Sequence, residues 1–216
     1  MPETSSVTRE DQARSGPGFN RRDFLKGSSA AVAATAIATE FQESVAQDAA
    51  KKRAVVEDKP TEITLTINGK TQKVTVEPRV VLLDVLRNDL SLTASKEVCS
   101  TANCGACTVI IDGKPALSCT KFAVECVGAK ITTAEGLNSG AEVDDVVKCF
   151  VKHDATQCGY CTPGFMVATR AFLNANPGAT LEQIRKGLGG NLCRCGTYDG
   201  ITQAALECAS AKKGGK

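Results

Sequence analysis

Eight of the eleven cysteines in this chain fall into two tetrads, and each tetrad has the spacing of an iron–sulfur ligand set. The first is Cys99, Cys104, Cys107 and Cys119, spaced C-x4-C-x2-C-x11-C; the second is Cys158, Cys161, Cys193 and Cys195, spaced C-x2-C-x31-C-x-C. A [2Fe–2S] cluster takes four thiolates, two on each iron, and a short C-x4-C-x2-C loop with a distant fourth cysteine is the plant-type spacing. Two such sets in one chain predict an electron relay. Structural Zn²⁺ also accepts four thiolates, but its knuckles pair two C-x2-4-C units, and neither tetrad is built that way. The remaining thiols, Cys126, Cys149 and Cys208, read as core or surface residues; a disulfide between two of them is open, and the sequence does not choose the pair.

The elements that must hold these thiols are legible on either side of them. From Thr61, apolar residues alternate at Ile63, Leu65 and Ile67, break at Asn68-Gly69, and resume at Val74 and Val76, which predicts a hairpin. Val81, Leu82, Val85, Leu86 and Leu90 have helical spacing. The run Thr108-Val109-Ile110-Ile111 with its turn at Asp112-Gly113, and a last strand at Lys130 to Thr133, complete an α+β unit around the first tetrad. The second unit reads as four helices: Ala141 to Lys152, one opening at Thr162-Pro163, one opening at the capping box Thr180 to Gln183, and one from about Asp199 to Lys212. Short helices with narrow apolar stripes bury them only against each other, so this unit is expected to be a bundle with the second tetrad at its helix ends. Gly105 and Gly159, inside the two C-x2-C turns, let the backbone come close to a bound group.

Composition narrows the function from the other side. The chain has 26 Lys plus Arg against 24 Asp plus Glu and no basic block, which excludes a nucleic-acid groove. No apolar run is long enough to span a membrane. There is one histidine, His153, and a hydrogen-bonding role at a helix end is the simplest use for it. No nucleophile–base constellation, paired carboxylates or phosphate-binding glycine loop stands out, so the chain is not equipped to transform a substrate by itself.

Three stretches carry a family likeness: Cys104-Gly-Ala-Cys-Thr-Val109, Gln157-Cys-Gly-Tyr-Cys-Thr-Pro-Gly164 and Gly190-Asn-Leu-Cys-Arg-Cys195. They resemble the small iron–sulfur subunit of the xanthine oxidase (molybdenum hydroxylase) family, over roughly Thr61 to Ser210. The resemblance implies a β-grasp, plant-type ferredoxin-like domain over 61–136 followed by an all-α four-helix-bundle domain over 137–212. It also implies a large partner subunit carrying molybdenum with a pterin dinucleotide, which hydroxylates an aldehyde or N-heterocycle. Electrons would then leave through two [2Fe–2S] clusters to an FAD subunit or a c-type cytochrome. In that scheme the Cys158, Cys161, Cys193, Cys195 cluster lies nearer the molybdenum, with Gln157 and Cys195 at positions that touch the pterin. The Cys99, Cys104, Cys107, Cys119 cluster faces the exit. Two departures stand out: Val98 and Ala102 occupy a loop where the family usually has glycines, and Gly196-Thr197-Tyr198 replaces the commoner Thr-Gly-Tyr, a variant similar to the isoquinoline and aldehyde dehydrogenase branch. The rival reading is a free-standing periplasmic two-cluster carrier, against which Gln157 and the Gly190-Asn191-Leu192 approach to Cys193 count as partner contacts.

The first 46 residues read as an address. Asn20-Arg21-Arg22-Asp23-Phe24-Leu25-Lys26 has the form of a twin-arginine signal, an uncharged small-residue stretch follows from Gly27 to Thr39, and Ser44-Val45-Ala46 offers a cleavage site. Residues 47–60 read as a flexible lead-in, and the mature chain would carry a net charge of +3. Twin-arginine export moves folded proteins, so a cluster inserted in the cytoplasm survives the crossing to the periplasm. Changing Arg21 and Arg22 together to Lys is expected to hold a reporter fused behind residue 46 in the cytoplasm; equal export of the Lys–Lys form, measured by fractionation, contradicts the reading.

Overall fold

The computed structural model describes residues 58–138 and 143–213; the export signal and most of the lead-in lie outside the described residues. Strands β1 (Thr61–Ile67) and β2 (Lys70–Val76) form the expected hairpin, closed by Asn68 and Gly69 at φ 51° and 76°, a two-residue turn of the kind that matches strand twist. Asp112-Gly113 repeats that turn at φ 48° and 80° between β3 (Thr108–Ile111) and β4 (Lys114–Leu117). With β5 (Lys130–Thr132) the order is β2-β1-β5-β3-β4; β1 and β5 run parallel and every other neighbouring pair antiparallel. Pro115 falls on β4, the edge strand, where a missing N–H costs no ladder bond.

Between the hairpins the chain crosses the sheet as a helical turn, α1 (Leu82–Asp84), which widens into a π-helical turn at Val85–Asp89. Leu82, Val85 and Leu86 are fully buried against Ile63, Leu65, Val74, Val76, Val109 and Ile131, each large side chain contributing roughly 1.5–3 kcal/mol of transfer free energy. Alternation on β1 and β2 therefore marks the face turned to α1. Strand β3 is different, being buried on both faces: Val109 joins that core, while Ile110 packs with Val167 and Ala171 of the helical half. This explains its continuous apolar run.

The four expected helices are α2 (Asp145–Lys152), α3 (Thr162–Ala175), α4 (Leu181–Gly187) and α5 (Tyr198–Lys213). Helix α2 starts later than the apolar spacing suggests because Asp144 caps it, its carboxylate accepting from the Val146 N–H at 2.8 Å and also pairing with Arg170 of α3. The Thr180–Gln183 capping box forms in full at α4. Phe165, Leu173, Ile184 and Ile201 are buried to 1% exposure or less at the centre of the bundle. His153 ends α2, its Nε2 2.6 Å from Glu207 of α5, whose other oxygen takes Lys152 at 2.7 Å. No helix among the described residues is long and apolar enough to cross a membrane.

Candidate metal centres

The first thiol set is assembled by the loop that leads into β3 and by the turn that leaves β4. Cys107 directly precedes β3, and Cys119 sits in a 3-10 turn, Ser118–Thr120, just past β4. The Ser118 backbone N–H and hydroxyl both donate to the Cys107 carbonyl, at 3.3 and 2.8 Å, and hold the two cysteines side by side. Burial, with the Cys119 thiol beside it, pushes Cys107 up to about 11. Cys99 and Cys104 form a second, shallower thiol pair. Here the Thr101 N–H reaches the Cys99 sulfur at 3.5 Å. That donation, with others from Cys104 and the Asn103 N–H, brings Cys99 down to about 6. The loop aims its amides inward through left-handed residues at Ser100, Ala102 and Gly105, φ 52°, 61° and 70°. Ala102 adopts this conformation without glycine's freedom, at a cost of roughly 1–2 kcal/mol, so the departure from the family's glycine leaves the fold of the loop in place and adds strain.

The second set lies at helix ends, as the spacing predicts. Cys158 stands in the loop before α3, Cys161 is the residue that caps α3, and Pro163 occupies its first turn. Gly159, φ 78°, makes the turn between them. Cys193 follows α4 in a stretch outside regular secondary structure and Cys195 lies in the turn just before α5. The Cys193 N–H donates to the Tyr198 hydroxyl at 2.8 Å, and its sulfur lies 3.1 Å from the Thr197 hydroxyl. Burial raises the Cys193 thiol, but donation from Thr197 and from the Gly196 N–H outweighs it and brings the group to about 7. The Gly-Thr order at 196–197 thus puts a hydroxyl on a sulfur. Cys193 pairs with Cys161, which burial pushes up to about 12, and Cys158 pairs with Cys195.

Each set is therefore two thiol pairs, one deep and one shallow. Cys107 and Cys119 are buried while Cys99 and Cys104 are half-buried; Cys193 is buried and Cys161 half-buried, while Cys158 and Cys195 are exposed. Among the described residues, no three His, Cys, Asp or Glu side chains converge on one point. Two thiols for each of two metals is the donor set of a [2Fe–2S] cluster, and amide donors aimed at the sulfurs are what such a cluster uses to spread its negative charge. The residues fit the group.

The sequence did not reveal how the two sets meet. The Leu192 N–H donates to the Cys104 carbonyl at 2.9 Å, so a residue next to Cys193 is bonded to a residue of the first set. Asn191, buried, donates through Nδ2 to the Gly105 carbonyl at 2.9 Å and to the Thr108 hydroxyl at 3.3 Å. A Cβ on Gly105 would lie 2.6 Å from the Asn191 side chain, and one on Gly164, in the first turn of α3, 2.5 Å from the Gly105 oxygen. Lys96 completes the seam, its ammonium 5.7 Å from the centre of the Tyr160 ring. Asn191 is thus an internal clamp, and the expectation that it contacts a partner is corrected: its amide is spent inside the chain. Gln157, by contrast, is exposed beside Cys158.

Residues 65–125 match the 2Fe-2S iron-sulfur cluster binding domain, residues 133–206 the [2Fe-2S] binding domain, and residues 18–38 the twin-arginine translocation pathway signal sequence. The chain is 39% identical over 209 residues to the aldehyde oxidoreductase iron-sulfur-binding subunit PaoA of Escherichia coli, covering 90% of this chain and 89% of the relative. It is 43% identical over 136 residues to the nicotinate dehydrogenase small FeS subunit of Eubacterium barkeri, covering 63% of this chain and 87% of that one. Quinoline 2-oxidoreductase from Pseudomonas putida superposes with TM-score 0.68 at 40% identity, over 72% of this chain and 98% of the matched chain. The aldehyde oxidoreductase of Desulfovibrio gigas gives 0.68 at 35% identity, over 72% of this chain and 18% of a much longer one.

A β-grasp sheet and a helical bundle, each presenting paired thiols, define a two-cluster [2Fe–2S] electron-transfer protein. More particularly, the chain belongs to the iron–sulfur subunits of the molybdenum hydroxylase family, the family of xanthine oxidase. It carries a twin-arginine export signal.

Replacing Asn191 with Ala removes both clamp bonds, while the Thr108 hydroxyl still donates to the Gly105 carbonyl, so the change is expected to cost about 0.5–1.5 kcal/mol. The urea midpoint, followed by visible absorbance of the holoprotein, should fall accordingly; an unchanged midpoint removes the clamp from the account.

Proposed function

We propose that this chain is the electron relay of an exported, periplasmic molybdenum-dependent dehydrogenase acting on an aldehyde or N-heterocycle. The observation that carries the reading is the direct bond between the two loops, Leu192 N–H to Cys104 carbonyl, which leaves one hydrogen bond and short covalent stretches between the thiol sets. Cys158, Cys161, Cys193 and Cys195 would hold the entry cluster, and Cys99, Cys104, Cys107 and Cys119 the exit cluster. A bound [2Fe–2S] cluster supplies one-electron redox chemistry, and two in series split a two-electron oxidation into single steps.

The residues of the chain hold, insulate and orient. Cys107 and Cys119 keep water from the deep side of the first set, and Cys193 does so in the second. The N–H groups of Thr101, Asn103 and Tyr160 stabilise negative charge on the shallow sulfurs. Exposure of Cys158, Cys195 and Gln157 on the outer side of the second set supports that side as the face toward the large subunit and its pterin dinucleotide. The acceptor beyond the first set would be an FAD subunit or a c-type cytochrome. Residues 61–136 and 137–212 divide the labour as two domains, one tetrad each, closed onto one another at the seam.

Purification from the native host tests the complex: molybdenum should travel with the chain, whereas a lone two-cluster protein at every step would make it a free-standing carrier. Within the complex, Cys195→Ser is expected to stop substrate from reducing either cluster. Cys104→Ser should leave the second cluster reducible by substrate while abolishing transfer to the acceptor. Equal activity of both variants with the physiological acceptor contradicts the order.

A further inference from the structure

Three cysteines belong to neither tetrad, and the structure separates them into one lone thiol and one pair. Cys126 lies in the sheet core, its thiol 3.6 Å from the Phe122 carbonyl. Cys149 of α2 and Cys208 of α5 share the buried core of the bundle, 9% and 4% exposed. The Cys208 sulfur lies 3.4 Å from the backbone oxygen of Asp145. In a helix that carbonyl is the one to which the Cys149 N–H donates, so Cys208 rests on the very turn of α2 that carries Cys149. Burial raises the Cys208 thiol, and the neighbouring Cys149 thiol raises it further. Helix α5 can come this close because its buried residues around Cys208 are Ala204, Ala205 and Ala209.

We propose that Cys149 and Cys208 are joined as an intrachain disulfide once the folded protein has left the cytoplasm, stapling α2 to α5. The step is thiol–disulfide exchange with an external disulfide. One cysteine attacks a sulfur of the oxidant and releases one of its thiols; the second cysteine then attacks the mixed disulfide and releases the other. The oxidant's S–S bond breaks, the Cys149–Cys208 bond forms, and two electrons and two hydrogens end on the oxidant as a pair of thiols. Cys208 stands close to the end of α5 at Lys213, and opening of that helix end would admit the oxidant. The staple has a purpose in the frame of the second tetrad. Helix α2 runs into the loop that carries Cys158, and α5 begins directly after the turn that carries Cys195, so fixing α2 to α5 fixes the base of the shallow pair. The contacts of Lys152 and His153 with Glu207 already lie along the same two helices.

The timing rests on the export reading, so the test has two arms. Full-length protein with its own signal is produced in a host with twin-arginine export, thiols are trapped in acid with an alkylating agent, and non-reducing peptide mapping by mass spectrometry is run on the cytoplasmic and exported fractions. The exported form should show the Cys149 and Cys208 peptides linked, lighter than the pair of thiol peptides by two hydrogens, and the cytoplasmic form should show both alkylated. In the second arm, purified holoprotein is treated with glutathione disulfide and mapped in the same way, which tests the pair without export. The link should form there too, and be absent from Cys149→Ser and Cys208→Ser. Alkylation of both residues in both arms, or a link from either one to Cys126, overturns the proposal. A link in the second arm with no protein in the exported fraction keeps the pair and removes the export reading.

Discussion

Gly105 is the point at which the two halves of the molecule meet at backbone distance, and the relay depends on it. Its carbonyl takes the Asn191 amide and the Thr108 hydroxyl, at 2.9 and 2.6 Å, and the missing side chains of Gly105 and Gly164 leave the space that both backbones fill. A Cβ at either position would push the loops apart by the width of a methyl group. Cys104 stands immediately before Gly105, and Cys193 shortly after Asn191, so any such displacement would separate the thiol sets themselves. Tunnelling between redox centres falls steeply with distance. A contact this close is what an electron relay requires, and it is built from the two smallest residues and one amide.

Around that contact each half solves the same problem with different elements. The sheet half presents its thiols from a loop of left-handed residues and from the far end of a tight hairpin. The helical half presents them from the start of α3 and the approach to α5. In both, one thiol pair is sunk among apolar residues and the other faces outward. Burial raises Cys107 and Cys161, and backbone amides lower Cys99 and Cys158, so the protein offers an apolar wall on one side and hydrogen-bond donors on the other. A negatively charged group held between such walls is shielded from water yet electrically stabilised at the side where electrons must pass.

The parts that were legible in the sequence are those written in local chemistry. Asn68-Gly69 and Asp112-Gly113 fix hairpins because both residues of each turn must adopt positive φ. Thr180 and Gln183 fix a helix start, and the cysteine spacings fix the ligand sets. What stayed hidden is tertiary. Nothing near Asn191 in the chain announces that its amide crosses to Gly105, since the partner is more than eighty residues away. The π-turn at Val85–Asp89 shares the apolar spacing of an ordinary helix. The late start of α2 follows from Asp144 serving both the cap and Arg170, and the choice of Cys149 with Cys208 follows from helix packing alone. Ala102 is the reverse case: its sequence departs from the glycine pattern, and the backbone adopts the left-handed turn regardless.

If the relay is built as proposed, both thiol sets hold [2Fe–2S] clusters close enough to exchange electrons across the Gly105 seam. Low-temperature EPR of the fully reduced protein tests this most directly. Two distinct rhombic signals of equal spin count are expected, one for each thiol set, with mutual splitting that reports their magnetic interaction. A single signal, or two signals that show no interaction, would contradict it, as would a colourless protein holding zinc in place of iron.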